Sequence, residues 1–547
     1  MSLCLITLFI AGTLLGAEFE PTPRIGIISK KEISLSEVIS MVLANDKDID
    51  SSRLMRDEAG FNVVGARGVY DPKVGFTGHH LKQVSPASSI LSGSADGKLT
   101  FQEWNIDPFV SGALSTGATY KLDFASSRQL SDSTFLTINP TYPTSLNLNL
   151  TQPLWRGLRY DDNRHRVQVA KKNKSLSDEQ FRQKVIDVIT QAAAAYWDLD
   201  YAVRDYQAQI DAVRLAGQQK DSNIRQMQQG VLAPIDVVAA ETQVATFEQQ
   251  FYQAQDTLTR AENALKQLMA GGRADMLWST ALVPVTKVDT EYPAGSMEEE
   301  ISAALKTRPE IAQARISSEM NQLDTRLYKD QTKPQLDLVA QVSSAGLAGQ
   351  IVQSGPNPIT ASFQPLIDRL NLLSVNAGLP PFSLSSSGSS VPALLAGGYG
   401  QSLNNLTAGI YPTVQVGIQM SLPIRNRAAN ANLSVSVAEG KRLKNQQELV
   451  ELAVVADVRN SAQALVAAEA RFRAASRARD SAEEQYQSEQ RQFKAGTSTL
   501  FLVLQRQTDM IAARSRELRA QADVGRAIAD VERATGSTLT KQKIELK

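Results

Sequence analysis

Apolar residues at a coiled-coil spacing limit what this chain can fold into. From position 185 the steps between them alternate between four and three residues, over Val185, Ile189, Ala192, Tyr196, Leu199, Val203, Tyr206, Ile210 and Val213. Such a stripe stays on one face of a helix and packs against a neighbouring helix. Polar helix formers extend the pattern to about 164–229. We therefore predict a helix of about 65 residues, a rod of ~100 Å.

A sharp turn and a returning helix follow this rod. Gly230 and Pro234 break the helix within QMQQGVLAPIDVVAAETQ, and a second coiled-coil stripe runs from Val237 to Gly271-Gly272. The stretch RQFKAGTSTLFLVLQRQTD around Gly496 has the same character. The sequence thus predicts two long helical hairpins. Because the first returning helix is only about half as long as the rod, we expect the helix predicted over Leu35 to about Val69 to continue its line.

The halves of the chain repeat one plan. Three pairs of positions align in the same order and at similar separations, namely Pro72 with Pro334, Pro153 with Pro423, and Gly230 with Gly496. Such agreement indicates an internal duplication with small insertions in loops. We predict a first repeat at 18–295, a second at 296–536, and a C-terminal tail at 537–547.

Short alternating runs flank the predicted hairpins. In SLNLNLTQPLW, leucines alternate with Asn and Thr, and ATYKLDFAS and PTVQVGIQMSLPI alternate in the same way. Strands with one apolar and one polar face suit a membrane β-barrel, although a soluble sandwich also alternates. Segments 81–116 and 343–406 are rich in Ser, Gly, Asn and Pro, and we expect extracellular loops there, with room for extra strands in the first half. The second segment contains a short amphipathic piece, FQPLIDRLNLLS.

The N-terminal residues resemble an export signal. LCLITLFIAGTLLGA is apolar, is short for a membrane span and ends in small residues, which predicts a signal peptide at 1–17. No Lys or Arg precedes the apolar run, and an N-terminal anchor helix is the alternative. Cys4 is the only cysteine, so the chain has no internal disulfide.

Composition and motifs argue against several classes of protein. The 57 basic and 57 acidic residues balance, whereas a nucleic-acid-binding protein needs a basic excess. His79-His80 lacks further ligands at metal-binding spacing, so we interpret the pair as exposed polar residues. We find no nucleophile–base pair and no phosphate-binding loop after a strand. We therefore expect neither an enzyme nor a cofactor.

The chain resembles the outer membrane efflux channel family, the TolC-like proteins, over about Ile33–Gly536. The resemblance rests on the paired halves, the strand ends TQPLWRG and SLPIRNR, and the turns QQGVLAPIDV and KAGTSTLFLV. The resemblance implies a mainly α fold with β. In it, a homotrimer joins a long coiled-coil α-barrel to a twelve-stranded transmembrane β-barrel in outer-membrane lipid, with four strands from each chain. It also implies passive conduction out of the periplasm of a Gram-negative-type bacterium. A periplasmic adaptor would link the channel to an inner-membrane transporter, in a tripartite efflux or type I secretion system.

The same resemblance assigns roles to residues at the turns. It implies an adaptor-docking tip formed by Gly230, Val231, Leu232, Ala233, Asp236, Gly496, Thr497 and Ser498. Asp236 fits equally well as a favourable charge at a helix N-terminus. Well-known members close the tip with two carboxylates, and Leu502 and Gln505 stand at the matching positions. We therefore predict a periplasmic constriction that closes by dewetting rather than by charge.

Trp155 follows a strand end, where an interfacial aromatic residue would lie; a packed tryptophan is the alternative.

Two functions other than a channel are also considered, namely a periplasmic adaptor and a non-conducting coiled-coil envelope protein. An adaptor normally carries one hairpin, and a structural coiled coil has no need of strands with unlike faces.

Overall fold

The computed structural model describes residues 23–87, 97–133, 136–289, 295–352, 358–382 and 391–545, and the predicted signal peptide lies outside them. The chain is mainly helical. Its first half contains β1 (Ser29–Ile33), α1 (Leu35–Asn45), α2 (Lys47–Arg67), β2 (Lys73–Pro86), β3 (Lys98–Ala113), β4 (Thr119–Ser131), β5 (Ile138–Thr141), β6 (Thr144–Pro153), α3 (Asp162–Gln228), α4 (Pro234–Met269) and β7 (Thr280–Pro284). Its second half contains α5 (Met297–Thr307), α6 (Pro309–Gln331), β8 (Gln335–Gly346), β9 (Gly349–Ile351), α7 (Pro358–Asn376), α8 (Tyr399–Thr407), β10 (Tyr411–Ser421), α9 (Arg427–Lys494), α10 (Leu500–Ala534) and α11 (Thr538–Lys541).

The element order follows one plan in both halves. Two consecutive helices lead into strands, and a very long helix and a shorter returning helix follow, as α3 and α4 and then as α9 and α10. α3 begins and ends within two residues of its predicted bounds. Within the described ranges, no helix has the length and apolar character that a membrane-spanning helix requires.

The chain divides into two compact units, each built from both halves of the sequence. The helical unit comprises Met1–Gly60, Lys172–Glu319 and Lys441–Lys547, and the sheet unit comprises Phe61–Lys171 and Met320–Gly440.

In the helical unit, the coiled-coil stripe of α3 forms the core. Val185, Ile189, Tyr196 and Leu199 are buried and pack with apolar residues of α1, α4 and α10. This is the contact that the sequence spacing predicts, because a stripe of alternating four- and three-residue steps faces a neighbouring helix.

A parallel pair of short strands, β1 and β7, packs on the same core, and the sequence analysis did not predict it. The buried hydroxyl of Tyr196 on α3 holds the end of this pair. It donates a hydrogen bond to the carbonyl oxygen of Ile33 at 3.1 Å. It accepts hydrogen bonds from the backbone N–H groups of Val285 and Thr286 at 3.2 and 3.0 Å. One side chain thus supplies partners for three backbone groups.

A second polar network lies at the junction of α5 and α6. Arg308 is 8% exposed, and its Nη1 and Nη2 lie 2.6 Å from Asp457 and 2.7 Å from Glu310. Arg533 contacts the other oxygen of Asp457 at 3.1 Å. Desolvation pushes the pKa of both carboxyls upward, but hydrogen bonds and charge from the arginines outweigh it, so each pKa lies below its ordinary value.

The sheet unit contains one antiparallel sheet with the strand order β10-β8-β6-β4-β3-β2, and the short β5 and β9 pair at its side. The three alternating runs form β4, β6 and β10, as predicted. The segment 81–116 was expected to be an extracellular loop with room for extra strands, and it contains such strands, namely the end of β2 and all of β3. The path of six strands also differs from the four strands per chain that the family resemblance implies.

The segment 343–406 is also more ordered than a loop. It contains the end of β8, then β9, α7 and α8, and the amphipathic piece FQPLIDRLNLLS lies within α7. Ser402 of α8 is buried, and its hydroxyl lies 2.9 Å from that of Thr144 at the start of β6.

Replacing Tyr196 with Phe is expected to lower the free energy of unfolding by about 1–3 kcal/mol, because the partly buried backbone N–H groups of Val285 and Thr286 lose their acceptor and the carbonyl of Ile33 loses its donor. Urea unfolding of the detergent-solubilised protein measures the change. Tyr252, half-exposed on α4, provides the control, and Tyr252→Phe should leave the unfolding midpoint unchanged. Equal midpoints for the two variants would contradict the role of Tyr196.

The Arg308 network predicts an acid-dependent loss of stability. Carboxyls with a lowered pKa stabilise the fold above their unfolded pKa of about 4, and this contribution is lost as pH falls through their folded pKa. Arg308→Gln should cost ~3 kcal/mol at pH 7, the low end for a broken buried pair because both carboxylates are partly exposed. Its unfolding free energy should also fall less than wild type between pH 7 and pH 3. A parallel acid dependence in the two proteins would contradict this.

Candidate functional site

The turn between α3 and α4 has a specific hydrogen-bonding pattern. The N–H of Gly230 donates to the carbonyl of Met227, and the N–H of Val231 donates to that of Gln226, both at 2.9 Å. This is the Schellman ending, which requires a left-handed residue after the helix. Gly230 has φ +75°, a conformation that glycine adopts without steric cost.

The turn between α9 and α10 is closed in the same way. Gly496 has φ +78°, its N–H donates to Phe493, and the N–H of Thr497 donates to Gln492, both at 3.0 Å. The hydroxyl of Ser498 donates to the carboxylate of Glu489 and ties the turn to α9. The two halves therefore share the detailed geometry of the turn as well as the order of elements.

Both turns lie at the same end of the helical unit. Three contacts align α10 antiparallel to α3, namely Gln209 with Ser515, Arg204 with Gln521 and Asp198 with Arg526. The amide of Gln243 on α4 donates to Thr508 on α10 at 2.8 Å. Because α4 and α10 run in one direction, Gly230 and Gly496 are brought to one end.

Asp236 has a clear role within α4. Its carboxylate accepts a hydrogen bond from the backbone N–H of Ala233 at 3.2 Å, and Pro234 occupies the first helical turn. Both features favour the start of a helix. Leu232 is half-buried, and Ala233 is exposed.

Exposed apolar side chains surround the turns. Val231 is 69% exposed, Ile235 is 70% exposed and Phe501 is 72% exposed. Ile235 and Phe501 are not among the residues that the sequence predicts for the tip. The sequence contains a signal for both, because each is a large apolar residue that lies off the buried stripe of its helix.

Leu502 and Gln505 lie one turn apart on the exposed side of α10, away from the buried Val503 and Leu504. The amide of Gln505 donates to the carboxylate of Asp509 at 3.3 Å. Arg506 also contacts that carboxylate, at 3.6 Å. Asp509 is a charged group one turn beyond Gln505, and it does not stand at a position that matches either of the family's two carboxylates.

Comparison with known proteins identifies the family to which this chain belongs. The outer membrane efflux protein family matches residues 38–271 and 377–537, well over half of the chain. The chain belongs to this family.

Solved structures of outer-membrane channels share the fold of this efflux channel. VceC from Vibrio cholerae is 14% identical with a TM-score of 0.61, over 92% of this chain and 96% of that one. CmeC from Campylobacter jejuni is 14% identical with a TM-score of 0.60, over 94% and 90%. The open state of MtrE from Neisseria gonorrhoeae is 15% identical with a TM-score of 0.58, over 92% and 89%. No curated protein matches the sequence significantly.

The remaining site residues of the efflux channel lie in the sheet unit. Trp155 follows β6 and is 49% exposed. His79 and His80 are neighbours on β2, so their side chains point to opposite faces of the sheet and do not form a metal-binding pair. His80 instead stacks on Trp104, with ring centroids 4.2 Å apart. Among the described residues, no group of three or more His, Cys, Asp or Glu side chains is arranged to hold a metal ion.

A buried amide lies near the α9–α10 turn. Gln507 is fully buried on the core side of α10, and neither its amide nitrogen nor its amide oxygen has a hydrogen-bond partner among the residues that the structure describes. An unsatisfied buried amide destabilises a fold, whereas an apolar group of similar shape does not.

We therefore expect Gln507→Leu to stabilise the helical unit by about 1–3 kcal/mol, the desolvation penalty that the substitution removes. The unfolding midpoint in urea should rise. Gln505→Leu, two positions away on the exposed side, is the control and should change the midpoint little. A lower midpoint for Gln507→Leu would show that the amide is satisfied in solution.

Proposed function

We propose that this chain forms the homotrimeric outer-membrane channel of a tripartite efflux or type I secretion system and conducts substrates passively from a periplasmic tip to the exterior. One observation carries the proposal. The sheet unit exposes a row of paired apolar residues on one face, namely Leu122, Leu148, Val342 and Val414. This face and a helical unit with two like turns at one end occur in a chain of the outer membrane efflux protein family. The repeats at 18–295 and 296–536 would each supply one hairpin to the periplasmic tunnel.

In the proposed channel, the two faces of the sheet have different surroundings. Lipid covers the apolar face, and water and substrate pass along the polar face. Trp155, exposed just after β6, would lie at the membrane–water interface, where an amphipathic ring is favourable. The energy for transport would come from an inner-membrane transporter, reached through the adaptor.

The turns provide the docking surface for the adaptor in this account. Val231 and Ile235 expose apolar area that a helical partner would bury. Gly230 and Gly496 set the direction in which each hairpin reverses. Leu232, Ala233, Thr497 and Ser498 complete the surface, while Asp236 acts mainly by capping α4.

The constriction in this account consists of a ring of Leu502 with Gln505 below it. An apolar ring narrows a pore and closes it by dewetting, without a charge that would attract cations. Asp509 lies beyond the ring, and its contact with Arg506 offsets its charge.

The native mass of the protein extracted in detergent from a Gram-negative outer membrane tests the proposal. The proposal requires a species of three chains in the outer-membrane fraction that forms steady conducting channels in planar bilayers. A soluble periplasmic monomer would indicate an adaptor instead. A membrane-bound species that never conducts would indicate a structural coiled-coil protein.

Substitution of Leu502 tests the constriction. In planar bilayers, hexaamminecobalt(III) at micromolar concentration should block the wild-type channel weakly, because the ring carries no charge. Leu502→Asp would place three carboxylates together, and we expect the blocking concentration to fall at least about tenfold, which corresponds to about 1.4 kcal/mol of added cation affinity.

Phe501→Asp is the matched control, because it adds the same charge to the neighbouring exposed position on another side of α10. The constriction would be misplaced if the two aspartate variants were blocked equally, or if wild type were already blocked at micromolar concentrations.

A further inference from the structure

We infer that the β3–β4 hairpin is part of the channel wall, so that each chain contributes six strands and three copies close a barrel of eighteen rather than twelve. This inference rests on the proposed trimer. In this wall, the apolar face of the sheet contacts lipid, and its two outer strands contact a second copy of this chain.

The hairpin is inserted into the sheet and does not hang from it. β2 pairs with β3 from Lys73 to Pro86, and β4 pairs with β6 from Thr119 to Ser126. β3 and β4 pair with each other from Phe101 to Ala113. β2 and β6 are therefore neighbours only through the hairpin, and removing it would break two strand interfaces.

One apolar face continues across all six strands. Directly paired residues form a row along it, with members Val74, Val110, Leu122, Leu148, Val342 and Val414. All members but Val110 are exposed. A hairpin that projected into water would have no need to match the apolar face of the strands beside it.

The opposite face is polar along the same strands. The adjacent row of paired residues contains Ser111, Lys121, Asn149, Gln341 and Gln415. Asn147 on β6 donates to Asp123 on β4 at 2.8 Å, and Gln129 on β4 donates to Glu103 on β3 at 3.0 Å. The hairpin thus carries the two-faced pattern of a barrel wall, with water on its charged side.

Aromatic side chains over glycines fix the register of the inserted strands. The ring of Phe109 on β3 covers its partner Gly75 on β2, where an added Cβ would approach the ring to 2.7 Å. Tyr120 on β4 covers its partner Gly112 on β3 in the same manner. Such pairs are a device that specifies strand pairing, so the insertion is built into the sequence.

The two outer strands of the sheet can pair between copies of the chain and so close the barrel. β2 and β10 end the strand path, and β10 is exposed along its whole length. Because neighbours are antiparallel and the path has six strands, β2 and β10 run in opposite directions. β10 of one copy can therefore pair with β2 of the next in the antiparallel sense that a closed barrel requires. Barrel diameter grows roughly linearly with strand number, so eighteen strands enclose a lumen about half again as wide as twelve.

A single-cysteine scan tests the wall. After Cys4→Ser, cysteines at Ile106, Val110 and Leu122 would carry a polarity-sensitive fluorophore, and cysteines at Asn105, Ser111 and Lys121 would meet a bulky water-soluble thiol reagent. We expect quenching by nitroxide-labelled lipid only in the first set and rapid aqueous modification only in the second. Val342 and Gln341 on β8 are the controls for a lipid-facing and a lumen-facing position.

Two double-cysteine variants identify the strand next to β6. Cysteines at Ala125 and Ser145, directly paired on β4 and β6, should crosslink within one chain. Cysteines at Thr77 and Ser145 should crosslink only if β2 lies directly beside β6, as in a four-strand contribution.

The outcomes separate this inference from the proposed function. A trimer in which β8 alternates but all β3 and β4 positions are water-accessible, with a Thr77–Ser145 crosslink, would overturn the six-strand wall and leave the channel intact. A protein that is not trimeric, or in which β8 does not alternate, would overturn the proposed function and this inference with it.

Discussion

A backbone amide in lipid has no water to bond with, so a strand that faces lipid needs a partner strand on both sides. Within the described part of a single chain, β2 and β10 have a partner strand on one side only. We propose that their other edges pair with a second copy of the chain, because the antiparallel path of six strands lets one copy follow the next in a ring. In the proposed trimer, the apolar face, which is exposed in one chain, forms the lipid-facing surface of a closed wall.

The helical unit follows a different constraint. The coiled-coil stripe of α3 is buried, and Tyr196 satisfies the backbone groups where the parallel β1–β7 pair packs on it. The glycine turns reverse both hairpins at one end and leave Val231, Ile235 and Phe501 exposed. Exposed apolar groups at that end are costly in a lone chain and useful where a partner covers them.

The sequence predicted elements whose pattern is local and long. The four- and three-residue steps gave α3 almost to its ends, and strict alternation gave β6 and β10. β1 and β7 were missed because each has five residues and pairs with a strand far away in the chain. β3 falls in a segment where extra strands were left open, and its position could not be assigned because Pro108 interrupts the alternation of Trp104, Ile106 and Val110. The turn glycines were found from the sequence, whereas the contact of Gln505 with Asp509 needed three-dimensional positions.

The most direct test of this account is disulfide crosslinking between β2 and β10 in the intact membrane. Cysteines at Thr77, paired in turn with cysteines at Gln415, Gly417 and Gln419, would sample the register on the polar face in a background without Cys4. The account predicts that one register gives a ladder of crosslinked chains that stops at three. Crosslinks confined to a single chain, or none at any register, would contradict closure between copies.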